Sequence, residues 1–387
     1  MKIMLRLRFL SLMILLAGIL TACTTTPFSG FSSGPTSTSA NVEKPTKIAL
    51  LVPIEGSLGA TGQAIRNSFL SAYFYAKEQQ ENPPTVTVVD TSGGNITALY
   101  QQAVAQGANF IVGPLTKMDV QTLASSGQLS VPTLALNTLD NNAGAANLYQ
   151  FGLSPQDEAA QVAEKAFRDG HRRALVISPI GAWGQGIADA FTKRWQSLGG
   201  TIVDTYAYPA KGEYTSGIRD LLQVTQRKSD SSGSKAVPEH RQDADVIFLA
   251  AFPQQARQIR PLLLFYNAGD LPVYATSLIY SGVPSPMYDQ DLNGIIFADM
   301  PWVLNYSQSP RLTSIHQRVT SLWPSSFNRS PRLYGFGVDA YTLATQFNDL
   351  NSGIAGATGQ LSLGQNGVIN RELSWAQIRN GVPVLLK

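Results

Sequence analysis

The stretch Lys47-Ile-Ala-Leu-Leu-Val-Pro53 constrains this chain more than any other. Its apolar residues run without alternation, as in a strand buried on both faces, and Pro53 ends it. A glycine-rich turn leads through Gly62 into Gln63 to Tyr75, which sets Ile65, Phe69, Ala72 and Phe74 mainly on one helical side. Strand, loop and helix in this order are the first half of a βαβ unit. The loop lies at the strand's carboxyl end, where open α/β sheets bind ligands.

The rest of the chain repeats the unit. Thr85–Val89, Phe110–Val112 and Pro132–Asn137 read as strands, and Thr97–Gln106 as a helix with Gly107 closing it. Ser154-Pro155-Gln156-Asp157 is a helix start, with Ser as N-cap, Pro in the first turn and an acid three residues on. Ala159, Val162, Ala163, Ala166 and Phe167 make that helix's buried stripe. A second series follows: strands at Ala174–Ile177, Thr201–Tyr206, Val246–Ala251 and Pro272–Thr276, with helices ending at Leu198, over Ser216–Val224 and over Gln254–Tyr266 despite Pro261. Two runs of strand and helix predict two doubly wound α/β lobes. The polar stretch Arg227–Gln242 has no periodicity and is expected to be an exposed insertion dispensable for folding. In the tail, Ile295–Phe297 with Asp299–Trp302 reads as a strand, and Leu312–Leu322 and Gly337–Leu350 as helices. Asn366-Gly367 between alternating segments predicts a type I′ hairpin.

The amino terminus reads as an export signal. Lys2, Arg6 and Arg8 precede an apolar run from Phe9 to Leu20, too short to span a bilayer. Leu20-Thr21-Ala22-Cys23 resembles the bacterial lipobox, in which the Cys is acylated and becomes the mature terminus. Cys23 is the only cysteine, so no disulfide can form within the chain. Thr24 stands where an Asp would signal inner-membrane retention, which implies the outer membrane. Thr24–Pro45 is rich in Thr, Ser, Gly and Pro and reads as a tether. The formal charge of +3 includes Lys2, Arg6 and Arg8, and 3 − 3 leaves zero for the remainder, so nothing points to nucleic acid.

The opening Leu-Val-Pro-Ile-Glu-Gly, the Val-Gly-Pro after the third strand and the closing Ala357-Thr-Gly-Gln-Leu-Ser with its hairpin resemble type I periplasmic binding proteins. That resemblance implies two Rossmann-like lobes with three interlobe crossovers and a ligand cleft. The expected division is 1–22 signal, 23–45 tether, 46–150 plus about 281–345 lobe 1, and 151–280 plus about 346–387 lobe 2. Five segments point further: Gln150-Phe-Gly-Leu-Ser-Pro-Gln-Asp-Glu158, Asp169-Gly-His-Arg-Arg-Ala174, Gln242-Asp-Ala-Asp-Val-Ile-Phe-Leu249, Pro253-Gln-Gln-Ala-Arg-Gln-Ile-Arg-Pro-Leu262 and Leu271-Pro-Val-Tyr-Ala-Thr-Ser277. They resemble the carboxy-terminal domain of the LpoA family, outer-membrane lipoproteins that activate a class A penicillin-binding protein, the 1A-type peptidoglycan synthase. The longer members carry a helical-repeat domain between anchor and this fold, whereas here the tether fills that place.

Catalytic patterns are not found. There is no Walker A sequence, no His-Glu-x-x-His and no Gly-x-Ser-x-Gly elbow, since the one match to that spacing, Gly30 to Gly34, falls in the Thr-, Ser-, Gly- and Pro-rich stretch and not between a strand and a helix. Gly181-x-x-Gly184-x-Gly186 has the wrong spacing for a dinucleotide loop and reads as a turn with helix-packing glycines. His171, His240 and His316 are far apart in sequence, so neither a metal nor a cofactor is expected. Ser232-Gly-Ser-Lys235 matches one penicillin-recognising motif, but Ser-Asp-Asn and Lys-Thr-Gly are missing. The chain therefore reads as a non-enzyme. The candidate interlobe cleft comprises Ser57, Thr61, Thr116, Asn137, Thr138, Trp183, Ser277 and Tyr280. These either hold a small polar ligand or only pack the lobes and cap helices. Gln254, Arg257 and Arg260 share one helix and either face a partner protein or are simply solvated. Two functions remain open: activator of a penicillin-binding protein, or lipid-anchored receptor for an amino acid or peptidoglycan fragment.

Overall fold

The computed structural model describes residues 42–79, 81–140, 143–226, 238–304 and 309–386. The signal segment, Cys23 and the tether as far as residue 41 lie outside the described residues. The described residues begin at Val42, within the stretch 23–45 expected to be a tether. Val42 is buried, and its N–H and C=O are both held by the side-chain amide of Asn348, at 2.9 and 2.8 Å.

Lobe 1 is a parallel sheet of β1 (Lys47–Val52), β2 (Thr85–Asp90), β3 (Phe110–Val112), β4 (Thr133–Ala135) and β5 (Leu148–Gln150), in the order β2-β1-β3-β4-β5. Helix α1 (Gly59–Glu78) covers one face, and α2 (Ile96–Ala105) and α3 (Lys117–Ser126) cover the other. Asn95 caps α2 by accepting from the N–H groups of Thr97 and Ala98.

Lobe 2 holds α4 (Pro155–Arg168), β6 (Arg173–Pro179), α5 (Ala182–Ser197), β7 (Thr201–Tyr208), α6 (Thr215–Leu221), β8 (Thr225–Gln226), β9 (Pro238–Glu239), β10 (Val246–Leu249), α7 (Pro253–Phe265), β11 (Val273–Ala275), the single turn α8 (Pro286–Asp289) and β12 (Ile296–Asp299). Its sheet is completed by β16 (Ser374–Arg379) and β17 (Val382–Leu385), which join antiparallel, giving the order β17-β16-β12-β11-β10-β6-β7. Ser154 caps α4 by accepting from Asp157 N–H at 3.2 Å, as its Ser-Pro start predicts. Gly184 packs the start of α5 onto the end of β6. A Cβ there would stand 2.0 Å from the Pro179 carbonyl oxygen.

The first and third crossings between lobes run through 151–154 and 346–373, and the second leaves β12 at Met300. That second crossing comes later than expected: β12 pairs with β11, so residues 281–299 belong to lobe 2 and not lobe 1. The chain then returns to lobe 1 as α9 (Pro310–Leu322), α10 (Pro324–Arg329) and α11 (Pro331–Thr345). Helix α11 begins well before the expected Gly337, with Pro331 in its first turn, although Ser330, unlike Ser154, makes no capping side-chain hydrogen bond. It packs on α1 so closely that a Cβ on Gly337 would fall 2.1 Å from Ser68 Oγ.

The third crossing carries β13 (Ile354–Ala355), β14 (Gln360–Leu363) and β15 (Ile369–Glu372), an antiparallel sheet. Asn366 and Gly367, at φ +54° and +74°, form the expected type I′ turn, closed by Val368 N–H to Gln365 O at 3.1 Å. One core is continuous through the crossings. Phe151 stacks on Phe336 at 4.5 Å, and Tyr149 meets Phe347 at 4.3 Å.

Of the polar stretch expected at Arg227–Gln242, residues 227–237 lie outside the described residues. Its end is structural rather than dispensable. His240 is buried, with Nε2 2.9 Å from Asp270 Oδ1, and the Arg241 guanidinium is held by Asp204 at 2.9 Å and Asp243 at 2.7 Å.

Candidate functional site

Loops at the carboxyl ends of parallel strands in both lobes hold the residues expected to line a cleft. Most of their polar groups already have partners. Thr116 caps α3: its Oγ1 accepts from Asp119 N–H at 3.1 Å and donates to Asp119 Oδ2 at 2.6 Å. Asn137 donates to Leu115 O at 3.0 Å and accepts from Thr138 N–H at 2.9 Å. The methyl group of Thr138 lies against Gly152, where a Cβ would stand 3.2 Å away. Ser277 is buried, and its N–H and O–H both donate to Glu158 Oε2, at 3.2 and 2.7 Å. Tyr280 is buried against Phe297 at 5.8 Å, and burial raises its phenol pKa. Ser57 is exposed and Thr61 half-buried at the start of α1. Trp183, at the start of α5, is exposed and stacks on Phe252 with ring centroids 5.1 Å apart and planes 8° from parallel.

The structure gathers Ser277 and Tyr280 around a group the sequence reading had not singled out. Arg332, from α11, donates Nε–H to Asp299 Oδ1 at 3.0 Å and Nη2–H to the carbonyls of Ser277 at 2.8 Å and Tyr280 at 2.9 Å. It also pairs with Asp299 Oδ2. Burial opposes its charge, but Asp299 outweighs that and holds the guanidinium above its ordinary pKa. Beside it, Arg371 of β15 lies 3.6 Å from Glu158 Oε1 and donates to Gly152 O at 3.1 Å and Thr358 O at 3.4 Å. Asp339, also on α11, accepts from Ala357 N–H, Thr358 N–H and Thr358 O–H at 2.6–2.7 Å. Burial pushes its carboxyl pKa up, against the pull of the Thr358 bonds. All three crossings thus meet around buried, hydrogen-bonded charges. An aspartate in the apolar run Tyr334–Ala344 was the one visible cue.

The proposed partner-facing helix is altered in the same way. Gln254 is exposed, but Arg257 pairs with Asp289 at 2.7 Å, and Arg260 is buried with Nε 3.3 Å from Asn293 O. Burial lowers the Arg260 pKa. Positions 257 and 260 share the side of α7 that packs on residues 289–294, so these arginines do not form a free basic patch. Two hollows flank the β13–β15 sheet. One, of about 330 Å³, is bounded by Pro301, Leu312 and Glu372, and the other, of about 500 Å³, by Gln161, Glu164 and Trp375. None of the candidate cleft residues lines either hollow. Among the described residues, no group of three or more His, Cys, Asp or Glu side chains is placed to hold a metal.

Residues 38–381 match the family described as "LppC putative lipoprotein". The penicillin-binding protein activator LpoA of Photobacterium profundum is 31% identical over 355 residues, covering 87% of this chain and 56% of that protein. The chain thus spans little more than half the length of such relatives. The solved LpoA C-domain of Haemophilus influenzae, described as a regulator of PBP1A, is 27% identical with TM-score 0.69, covering 88% of this chain and 100% of that one. A "putative branched-chain amino acid ABC transporter" of Chromobacterium violaceum is 28% identical with TM-score 0.63, covering 86% and 100%. With a family match over nearly the whole folded body, the chain belongs to the LppC lipoprotein family, the family of the LpoA activators.

Proposed function

We propose that this chain is a non-enzymatic activator of a class A penicillin-binding protein, held at the outer membrane by an acylated Cys23 and facing the periplasm. The observation that carries the reading is the likeness to the entire LpoA C-domain, together with family membership over the same residues. The site fits a regulator better than a solute receptor. A zwitterionic amino acid needs a free cation and a free anion, and the hinge guanidiniums of Arg332 and Arg371 are already bound to Asp299 and Glu158. An activator works by preferring one conformation of its partner, and a preference of about 1–3 kcal/mol gives a 5- to 150-fold effect.

The test is cross-link formation from lipid II by a purified class A synthase, with and without the chain and with no small molecule added. Increased cross-linking is expected, and its absence together with no binding would overturn the reading. The transporter-like neighbour favours the receptor alternative, which predicts saturable lobe closure around an amino acid or muropeptide. For the anchor, Cys23→Ala should block acylation and signal cleavage. Normal processing and outer-membrane fractionation of that variant would refute it.

A further inference from the structure

We infer that the carboxyl edge of the lobe 2 sheet is the docking surface for the partner synthase, and that it receives an uncharged, apolar segment of that protein. The inference rests on the activator reading. The loops after β6, β10 and β11 form the middle of this edge, and the loop after the outermost strand β7, with the exposed Lys211 and Glu213, flanks them. No charged residue occurs from Pro179 to Ala188, from Ala250 to Ala256 or from Thr276 to Tyr288. These three middle loops expose large apolar side chains: Ile180 at 65%, Trp183 at 38%, Phe252 at 46%, Met287 at 81% and Tyr288 at 63%. Trp183 and Phe252 are stacked on each other, and Phe252 occupies the N-cap of α7. Five residues along that helix, Arg257 lies 5.7 Å from the Tyr288 ring.

The chemistry of the occupant follows from which groups are free. The polar residues of these loops nearest the hinge, Ser277 and Tyr280, are buried, and Ser277 spends its donors on Glu158. Trp, Phe, Met and Ile remain outward. Exposed aromatic and methionine side chains with charge depleted is the composition of a protein–protein interface core. A sugar would need several free hydrogen-bonding side chains alongside the aromatic face, whereas Gln185 already donates to Asp189 and Gln255 to the Ala210 carbonyl, which leaves Gln254 exposed. A charged peptide would find no counter-charge on the three middle loops, because Lys211 and Glu213 stand at the outermost strand. An apolar protein segment meets neither cost.

The test titrates a purified class A synthase with the full chain and with three variants, measuring affinity and melting temperature. Trp183→Ala/Phe252→Ala should weaken binding by at least about tenfold, as loss of an interface hot spot does. Ile180→Asp places a charge in the uncharged rim at an exposed position and should weaken binding with the melting temperature unchanged, so it decides the matter if the double variant folds poorly. Leu264→Ala/Phe265→Ala, exposed at the far end of α7, should leave binding intact. If the unsubstituted chain does not bind the synthase, the activator reading itself fails. If it binds and both rim variants bind equally well, the docking inference alone is overturned. It is also overturned if soluble glycan strands quench Trp183 fluorescence and displace the synthase.

Discussion

The hinge and the lobe 2 rim are built from opposite materials. At the hinge, charges from both lobes are buried and bonded to one another: Arg332 to Asp299, Arg371 to Glu158, and Asp339 to the Thr358 segment. At the rim, uncharged and apolar side chains stand in solvent. A receptor that closes on a zwitterion would be expected to reverse this, with charges free at the loops and a hinge loose enough to bend. Here the arrangement couples a stiff frame to an adhesive edge. Buried ion pairs are poor general stabilisers, because desolvation offsets their attraction, but breaking one leaves an uncompensated charge. That asymmetry makes the two regions separable by experiment.

The largest effect is expected at the hinge. Arg332→Met should lower unfolding stability by about 3–5 kcal/mol in urea titrations, the cost of stranding the Asp299 carboxylate. Adding Asp299→Asn should recover part of that loss, because the stranded charge is then gone. Near-additivity of the two substitutions would show that the pair is not coupled and that the hinge is not held by it.

At the rim the same measurement should barely move. Trp183→Ala removes one stacked ring at an exposed site and should cost about 0.5–1.5 kcal/mol, the range of an aromatic pair. A loss as large as that of Arg332→Met would mean that the rim aromatics are structural, and the contrast between the regions would collapse.

How far these regions could be read in advance differs for physical reasons. The rim could be placed. Continuous apolar runs such as Val246–Leu249 fix buried strands, and glycine- and proline-marked loops must follow their carboxyl ends, which is where Trp183, Ser277 and Tyr280 stand, after β6 and β11. Their exposure could not be read, because whether Trp183 faces solvent or core depends on its partner Phe252, far away in sequence. Phe252 was missed for the same reason. Helix α3 was overlooked although Thr116-x-x-Asp119 is a capping box and Gly127, at φ +63°, closes it. The hinge was nearly invisible, since Glu158, Arg332 and Arg371 are ordinary charges on a helix, a helix and a strand. Their meaning lies in pairings that span 33 residues between Arg332 and Asp299 and more than 100 at Glu158, which no local period encodes. The lobe boundary misplaced at residue 281 has a related cause, because only pairing with β11 assigns β12 to a sheet.

The smallest expected effect is a pH dependence beside the second crossing. His316, on α9, is wedged between Trp302 of that crossing at 4.6 Å and Phe327 at 5.2 Å. Burial lowers its pKa below the ordinary histidine value. In the unfolded chain the imidazole takes up its proton near pH ~6.5. As pH falls through that region the unfolded state is protonated first, so the folded state loses stability relative to it. The contribution is fully present above the unfolded pKa and is lost as pH falls toward the folded one. His316→Gln cannot titrate, so its melting temperature should fall less than that of the unsubstituted chain between neutral and mildly acidic pH. If His316→Gln left the slope unchanged, the imidazole would not be buried neutral against Trp302. The second crossing would then be more open to water than the hinge as a whole.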